Sequence, residues 1–149
     1  MRLLPKKELL TDAEKQQLVQ AIRNAERLTS GEIRVYVESR CKYVDPLDRA
    51  QEVFLQLGLE KTRMRNGVLL YIALKDKQYA IAGDKGIHEK VGQAFWKEKA
   101  QTMLAHFSKN QVVAGIEAGI TEIGNALCTY FPHDGDDTNE LPDDIVIGR

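Results

Sequence analysis

The sequence predicts an α/β fold built on a small mixed sheet, and three stretches carry that prediction. Glu32-Ile33-Arg34-Val35-Tyr36-Val37-Glu38 alternates apolar and polar side chains with the period of a strand. Val68 to Leu74 is a nearly continuous apolar run. It is too short for a membrane span and suits a strand covered on both faces. The charged turn Lys75-Asp76-Lys77 and a second short strand, Gln78 to Ala82, follow it as a β-hairpin. One amphipathic helical pattern separates the first strand from the second. Strand, helix and strand at that spacing form a βαβ crossover, so the first two strands are expected to be parallel. The hairpin then adds an antiparallel third strand.

The remaining elements follow in order. Thr11 or Asp12 caps a first helix that carries Leu18, Val19, Ala21, Ile22 and Ala25 on one face and runs to about Leu28. Thr29-Ser30-Gly31 stops it before the first strand. Asp45-Pro46 reads as an N-cap followed by proline at the first helical position, where its missing N–H costs nothing. Ala50, Val53, Phe54 and Leu57 form the buried face of that second helix, and Gly58 ends it. Leu59 to Arg65 reads as a basic loop. Beyond Gly83-Asp84-Lys85-Gly86, helical spacing of Ile87, Val91, Phe95, Trp96, Ala100, Met103, Leu104 and Phe107, broken at Gly92, predicts a short turn and then a long helix. A last helix begins near Asn110, and Pro132 closes it. A short strand is placed at Ile145-Val146-Ile147.

Composition excludes several classes. With 21 basic and 22 acidic residues in 149, the net charge is −1, so no basic excess points to nucleic acid and no Lys/Arg run marks an anionic membrane surface. Met1 to Leu10 lacks the apolar core of a secretory signal, and no run approaches about 18 apolar residues. A cytoplasmic location is expected, with Cys41 and Cys128 as reduced thiols. The domain is expected over 1–131, and 132–149 is expected to be an acidic tail. Six acidic residues lie between Asp134 and Asp144, and such a run is ordinarily solvated.

Thr29-Ser30-Gly31-Glu32-Ile33-Arg34-Val35, Arg65-Asn66-Gly67-Val68-Leu69-Leu70 and Ile81-Ala82-Gly83-Asp84-Lys85-Gly86-Ile87 resemble, in that order, the successive signatures of the TPM domain family. The likeness spans about residues 10–131. The closing Phe131-Pro132 and Asn139-Glu140-Leu141-Pro142-Asp143 resemble its soluble bacterial branch. The resemblance implies a three-layer α/β/α sandwich on a small mixed central sheet. It also implies divalent-cation binding, calcium above all, in some members and modest acid-phosphatase activity in others. Many relatives carry a secretion signal and a membrane segment; this chain shows neither pattern.

Strand direction brings the three signatures to one sheet edge. The start of the first strand, the start of the second and the end of the third meet there, offering carboxylates at Glu32 and Asp84, an amide at Asn66 and carbonyls beside glycines. Oxygen ligands of that kind suit Ca²⁺. The plainer reading is that Asp84 caps a helix, Glu32 is solvated and the glycines serve turns. Glu38, Asp45 and Asp48, with Asp76, make a rival set at the carboxyl ends of the strands, where ligands of α/β sheets usually bind. There too Asp45 can be only an N-cap, and Asp48 can complement the helix dipole. His88, His106 and His133 have no metal spacing. Lys85-Gly86 is not a P-loop and there is no nucleophile elbow. Asp136, Asp137 and Asp143 could add ligands from the tail. Two functions remain: a binding or accessory module that holds a divalent cation and uses it to order loops or to recruit an unspecified protein partner, or a weak metal-assisted phosphatase. The second needs cations near the metal, for which Arg65 and Lys85 are the candidates.

Overall fold

A computed structural model describes residues 9–133 and 145–148. The elements are α1 (Asp12–Glu26), β1 (Glu32–Glu38), α2 (Pro46–Gln56), a 3-10 turn (Leu59–Lys61), β2 (Gly67–Ala73), β3 (Gln78–Gly83), α3 (Lys85–Val91), α4 (Gln93–Phe107), α5 (Val112–Tyr130) and β4 (Ile145–Ile147). The sheet order is β3-β2-β1-β4. β1 runs parallel to β2 with Val35 opposite Leu70, and β2 runs antiparallel to β3 with Leu70 opposite Ile81. This is the expected mixed sheet. β4, from the stretch read as tail, adds a fourth strand parallel to β1. The candidate tail ligands Asp136, Asp137 and Asp143 lie outside the described residues.

Two cores make the three layers. Ile33, Val35, Val37, Val68, Leu70, Ile72 and Ile81 face Leu18, Ile22, Met103, Ile116, Ile120 and Leu127 from α1, α4 and α5. On the other face Leu69, Tyr71, Ala73, Ala80 and Ala82 meet Ala50, Val53 and Phe54 of α2. Every residue of β2 is buried, as its continuous apolar run requires. α1 begins with a full capping box between Thr11 and Glu14 and ends at Glu26, a little earlier than its apolar spacing suggests. The loop after α2 is tighter than expected: Gly58, at φ 70°, starts the 3-10 turn that buries Leu59. Both cysteines are free thiols, as expected. No helix among the described residues is long and apolar enough to cross a membrane.

Gly86 decides how α3 meets the sheet. A Cβ there would lie 2.2 Å from the Met64 carbonyl oxygen and 2.6 Å from that of Arg65. The close approach lets the Gly86 N–H donate to the Arg65 carbonyl at 2.8 Å. Gly86→Ala should therefore force backbone apart and lower stability by about 1–3 kcal/mol. Chemical denaturation with a chevron-independent equilibrium readout checks this; a loss under about 0.5 kcal/mol, the range of ordinary surface changes, would contradict it.

Candidate functional site

The expected convergence of β1, β2 and β3 is made by backbone bonds. Glu32 N–H donates to the Asn66 carbonyl at 3.4 Å, and Asp84 N–H donates to the Gly67 carbonyl at 2.9 Å. Side chains then divide the three residues. Asn66 is buried; its amide nitrogen donates to Ser30 Oγ at 3.2 Å, and its N–H donates to Thr62 Oγ1 at 3.2 Å. Glu32 is buried, contrary to its reading as a solvated residue. Asp84 is buried and caps α3, accepting the Lys85 N–H at 2.8 Å. Glu32 and Asp84 start on strands separated by β2, about 10 Å apart at the backbone from two strand spacings.

Asp84 has a partner that sequence reasoning treated only as a nearby cation. Arg65 clasps it with Nε to Oδ2 at 2.6 Å and Nη2 to Oδ1 at 2.8 Å. Two parallel charge-assisted bonds of this length are the strong form of the Arg–carboxylate pair. Donating to Asp84 also raises the Arg65 pKa above its ordinary value. Arg65 itself has φ 52°, a left-handed conformation that a bulky residue adopts only when its surroundings impose it. Its guanidinium holds Asp84 and its carbonyl holds Gly86, so both ends of the residue fix the start of α3.

A cleft of about 640 Å³ opens beside this clamp, between α2, the end of β3 and the start of α4. Its charged groups are Arg65, Asp84, Glu60 and Lys97, and His88 joins them. Glu60 Oε2 is buried without a hydrogen-bond partner among the described residues. Trp96 donates from Nε1 to His88 Nδ1 at 2.9 Å, so a neutral His88 carries its proton on Nε2. The indole lies over Gly83, where a Cβ would come within 2.2 Å of the ring. Glu60 was hidden in a stretch that reads as a basic loop, and Trp96 in one that reads as core. A second cleft, about 580 Å³ between α1 and α5, is lined by neutral residues apart from Glu117.

The rival set at the opposite edge is drawn in different directions. Glu38 is buried and accepts from Arg49 Nε at 2.9 Å and Nη2 at 3.2 Å, and from the Tyr71 hydroxyl. Arg49 also bonds Glu52. Asp45 caps α2 through the Leu47 N–H at 2.9 Å, while Asp48 is exposed in the first turn. Asp76 accepts from Cys41 N–H and Arg40, tying the hairpin to the loop after β1. Among the described residues no group of three or more His, Cys, Asp or Glu could hold a metal ion.

Comparison with known proteins now bears on this geometry. A sequence model described as the TPM domain matches residues 5–126. The chain belongs to the TPM domain family. The solution structure of the BA42 protein from the psychrophilic bacterium Bizionia argentinensis is similar over 95% of this chain and 97% of that one, at 42% identity and a TM-score of 0.87. The N-terminal domain of a Corynebacterium glutamicum protein aligns with 90% of this chain and 80% of its own length, at 15% identity and a TM-score of 0.64. An N-terminal domain from P. gingivalis covers 84% and 82%, at 18% identity and a TM-score of 0.65. These last two share the TPM domain's fold. The comparison with curated proteins returned no match.

The Glu38 network of this TPM domain makes a pH prediction. Burial first, and then the bond to Glu38, push the Tyr71 pKa far above its ordinary value; burial does the same, less strongly, for Tyr36 and Tyr79. The unfolded chain releases these protons near pH 10. Above that pH the folded state holds more protons than the unfolded one, so stability present below about pH 10 falls as pH rises. Tyr71→Phe should cost about 1–3 kcal/mol at neutral pH and make the alkaline fall shallower. Melting temperatures from pH 7 to 11 check this, and an unchanged alkaline slope would contradict it.

Proposed function

We propose that this TPM domain is a divalent-cation binding module whose site is the Asp84 edge, with Ca²⁺ the favoured ion. The observation that carries the reading is the clasp itself. Asp84 already holds a cation, the Arg65 guanidinium, and shares the cleft with a second carboxylate, Glu60, whose Oε2 has no partner among the described residues. The side-chain donors on offer are the oxygens of Asp84 and Glu60. That donor chemistry fits a hard ion that keeps several waters. Asp84 is the main anion, Glu60 is a second carboxylate of the same cleft, and Glu32 and Asn66 are secondary contributors reached through water. Arg65 competes with the ion for the same oxygens. Low ligand charge and this competition suit a Kd of roughly 10⁻⁴–10⁻³ M.

A second reading has its own observation. Arg65, Lys97 and His88 share the cleft with Asp84, which is the setting a metal-assisted phosphatase would need around a phosphoryl group. Turnover of an aryl phosphate with metal, abolished by EDTA and by Asp84→Asn, would favour it over a binding role.

The binding reading predicts opposite signs for the two clamp partners. Calcium at tenfold excess over Kd should add about 1.4 kcal/mol to stability. Asp84→Asn should remove that gain, Arg65→Gln should increase calcium affinity, and Asp45→Asn should leave it unchanged. Amide-resolved titration with Ca²⁺, Mg²⁺ and Zn²⁺ locates the ion. If Arg65→Gln weakens calcium binding, or if calcium moves no amide near Asp84, the reading fails.

A further inference from the structure

We propose that the free edge of β3 is a docking groove for an extended polypeptide segment, which adds to the sheet as a fifth strand. This goes beyond the cation site and requires no metal. β3 ends the sheet order, so no strand among the described residues lies beyond it. The phase of its ladder is set by the Asp84 N–H bond to the Gly67 carbonyl. Alternation then turns Ala80 and Ala82 toward β2, and turns the N–H and C=O of Tyr79, Ile81 and Gly83 outward. No group among the described residues bonds those outward backbone groups. Ile81 is buried because its side chain lies in the core, whereas Tyr79 and Gly83, which carry the neighbouring outward groups, are half-buried. A row of unpaired N–H and C=O groups at strand spacing is what an extended peptide pairs with.

The walls fit the same occupant. The cleft floor includes Ile81, Ala82 and Gly83; Phe54, Leu47 and Leu55 of α2 form one wall, and Trp96 forms the other. Leu47 and Leu55, about two turns apart on α2, are 39% and 62% exposed, with no described residue covering them. Alternate side chains of an added strand would meet one wall and then the other. Charge points the same way, because Arg65 and Lys97 balance Glu60 and Asp84, so the groove selects no strongly charged ligand. The recessed edge also argues against a second copy. Two such edges, each set down between its own α2 and α4, cannot approach to hydrogen-bonding distance, whereas a single extended segment can enter.

The test uses the full chain and a displayed library of random octapeptides. Trp96, the single tryptophan of the sequence, reports binding by fluorescence. The expected result is enriched peptides with alternating apolar residues whose Kd weakens about tenfold or more in Leu55→Asp. Leu55 is exposed, so this variant should fold, and its amide spectrum verifies that; Leu47→Asp is the second variant. Amide exchange should slow at Ile81 and Gly83 on binding but not change at Ala80 and Ala82, a pattern only strand addition produces. The proposal is overturned if no peptide is enriched, if bound peptides are indifferent to both variants, or if exchange slows without alternation. It is also overturned if sedimentation equilibrium shows a dimer that Leu55→Asp abolishes, since the occupant would then be a second copy.

Discussion

The two bonds from Arg65 to Asp84 hold together the part of this TPM domain on which any function at this edge depends. Asp84 follows β3 and starts α3, and Arg65 precedes β2. Their pairing closes the register of the hairpin at its open end and sets the direction in which the chain leaves the sheet. Gly86 makes the pairing geometrically available, because a side chain there would strike the carbonyls of Met64 and Arg65. Trp96 can then lie over Gly83. Without the clasp the start of α3 would lose its guanidinium–carboxylate tether and the cleft one end, leaving only the Gly86 N–H bond to the Arg65 carbonyl.

The two carboxylate edges of the sheet follow different physical logic. At the carboxyl ends of β1 and β2, Glu38 is saturated by Arg49 and Tyr71, and it is shut inside the α2 face. A buried acid with every bond made resists exchange, because removing one donor exposes an uncompensated charge. At the other edge Arg65 is partly exposed while Asp84 is buried, with side-chain exposures of 38% and 6%. An accessible guanidinium on a buried carboxylate can be displaced at far lower cost, and Glu60 in the same cleft has an oxygen without a partner among the described residues. The first edge suits stability, and the second suits exchange.

Much of the fold was legible because its cues are local. The alternation in Glu32 to Glu38 and the unbroken apolar run from Val68 gave strand and burial directly, and the helix between them fixed the parallel pairing. Asp45 before Pro46 and Asp84 before Lys85-Gly86 announced their helices. β4 was legible as a strand, but three residues carry no information about which edge they join. The site was harder. Strand direction brought Glu32, Asn66 and Asp84 to one edge, and the same strand order, with β2 between β1 and β3, keeps the two acids two strand spacings apart. The Arg65 clasp spans nineteen residues and depends on a left-handed φ that no local cue demands of an arginine. Glu60 lay in a stretch whose charge count looked basic, and its relation to Asp84 exists only after the 3-10 turn has formed.

The most direct measurement is on the Arg65 side chain itself, through the ¹H–¹⁵N resonance of Nε during a calcium titration. Held on Asp84, this proton should be protected from exchange and shifted away from the position of a solvated arginine. Calcium should return it to the solvated position, with the same midpoint as the Lys85 amide that shares the Asp84 carboxylate. If the Lys85 amide shifts while Arg65 Nε stays put, the ion does not exchange with the clasp. If neither moves at millimolar calcium, the Arg65–Asp84 pair is a structural fastening and the account of this edge as a cation site is contradicted.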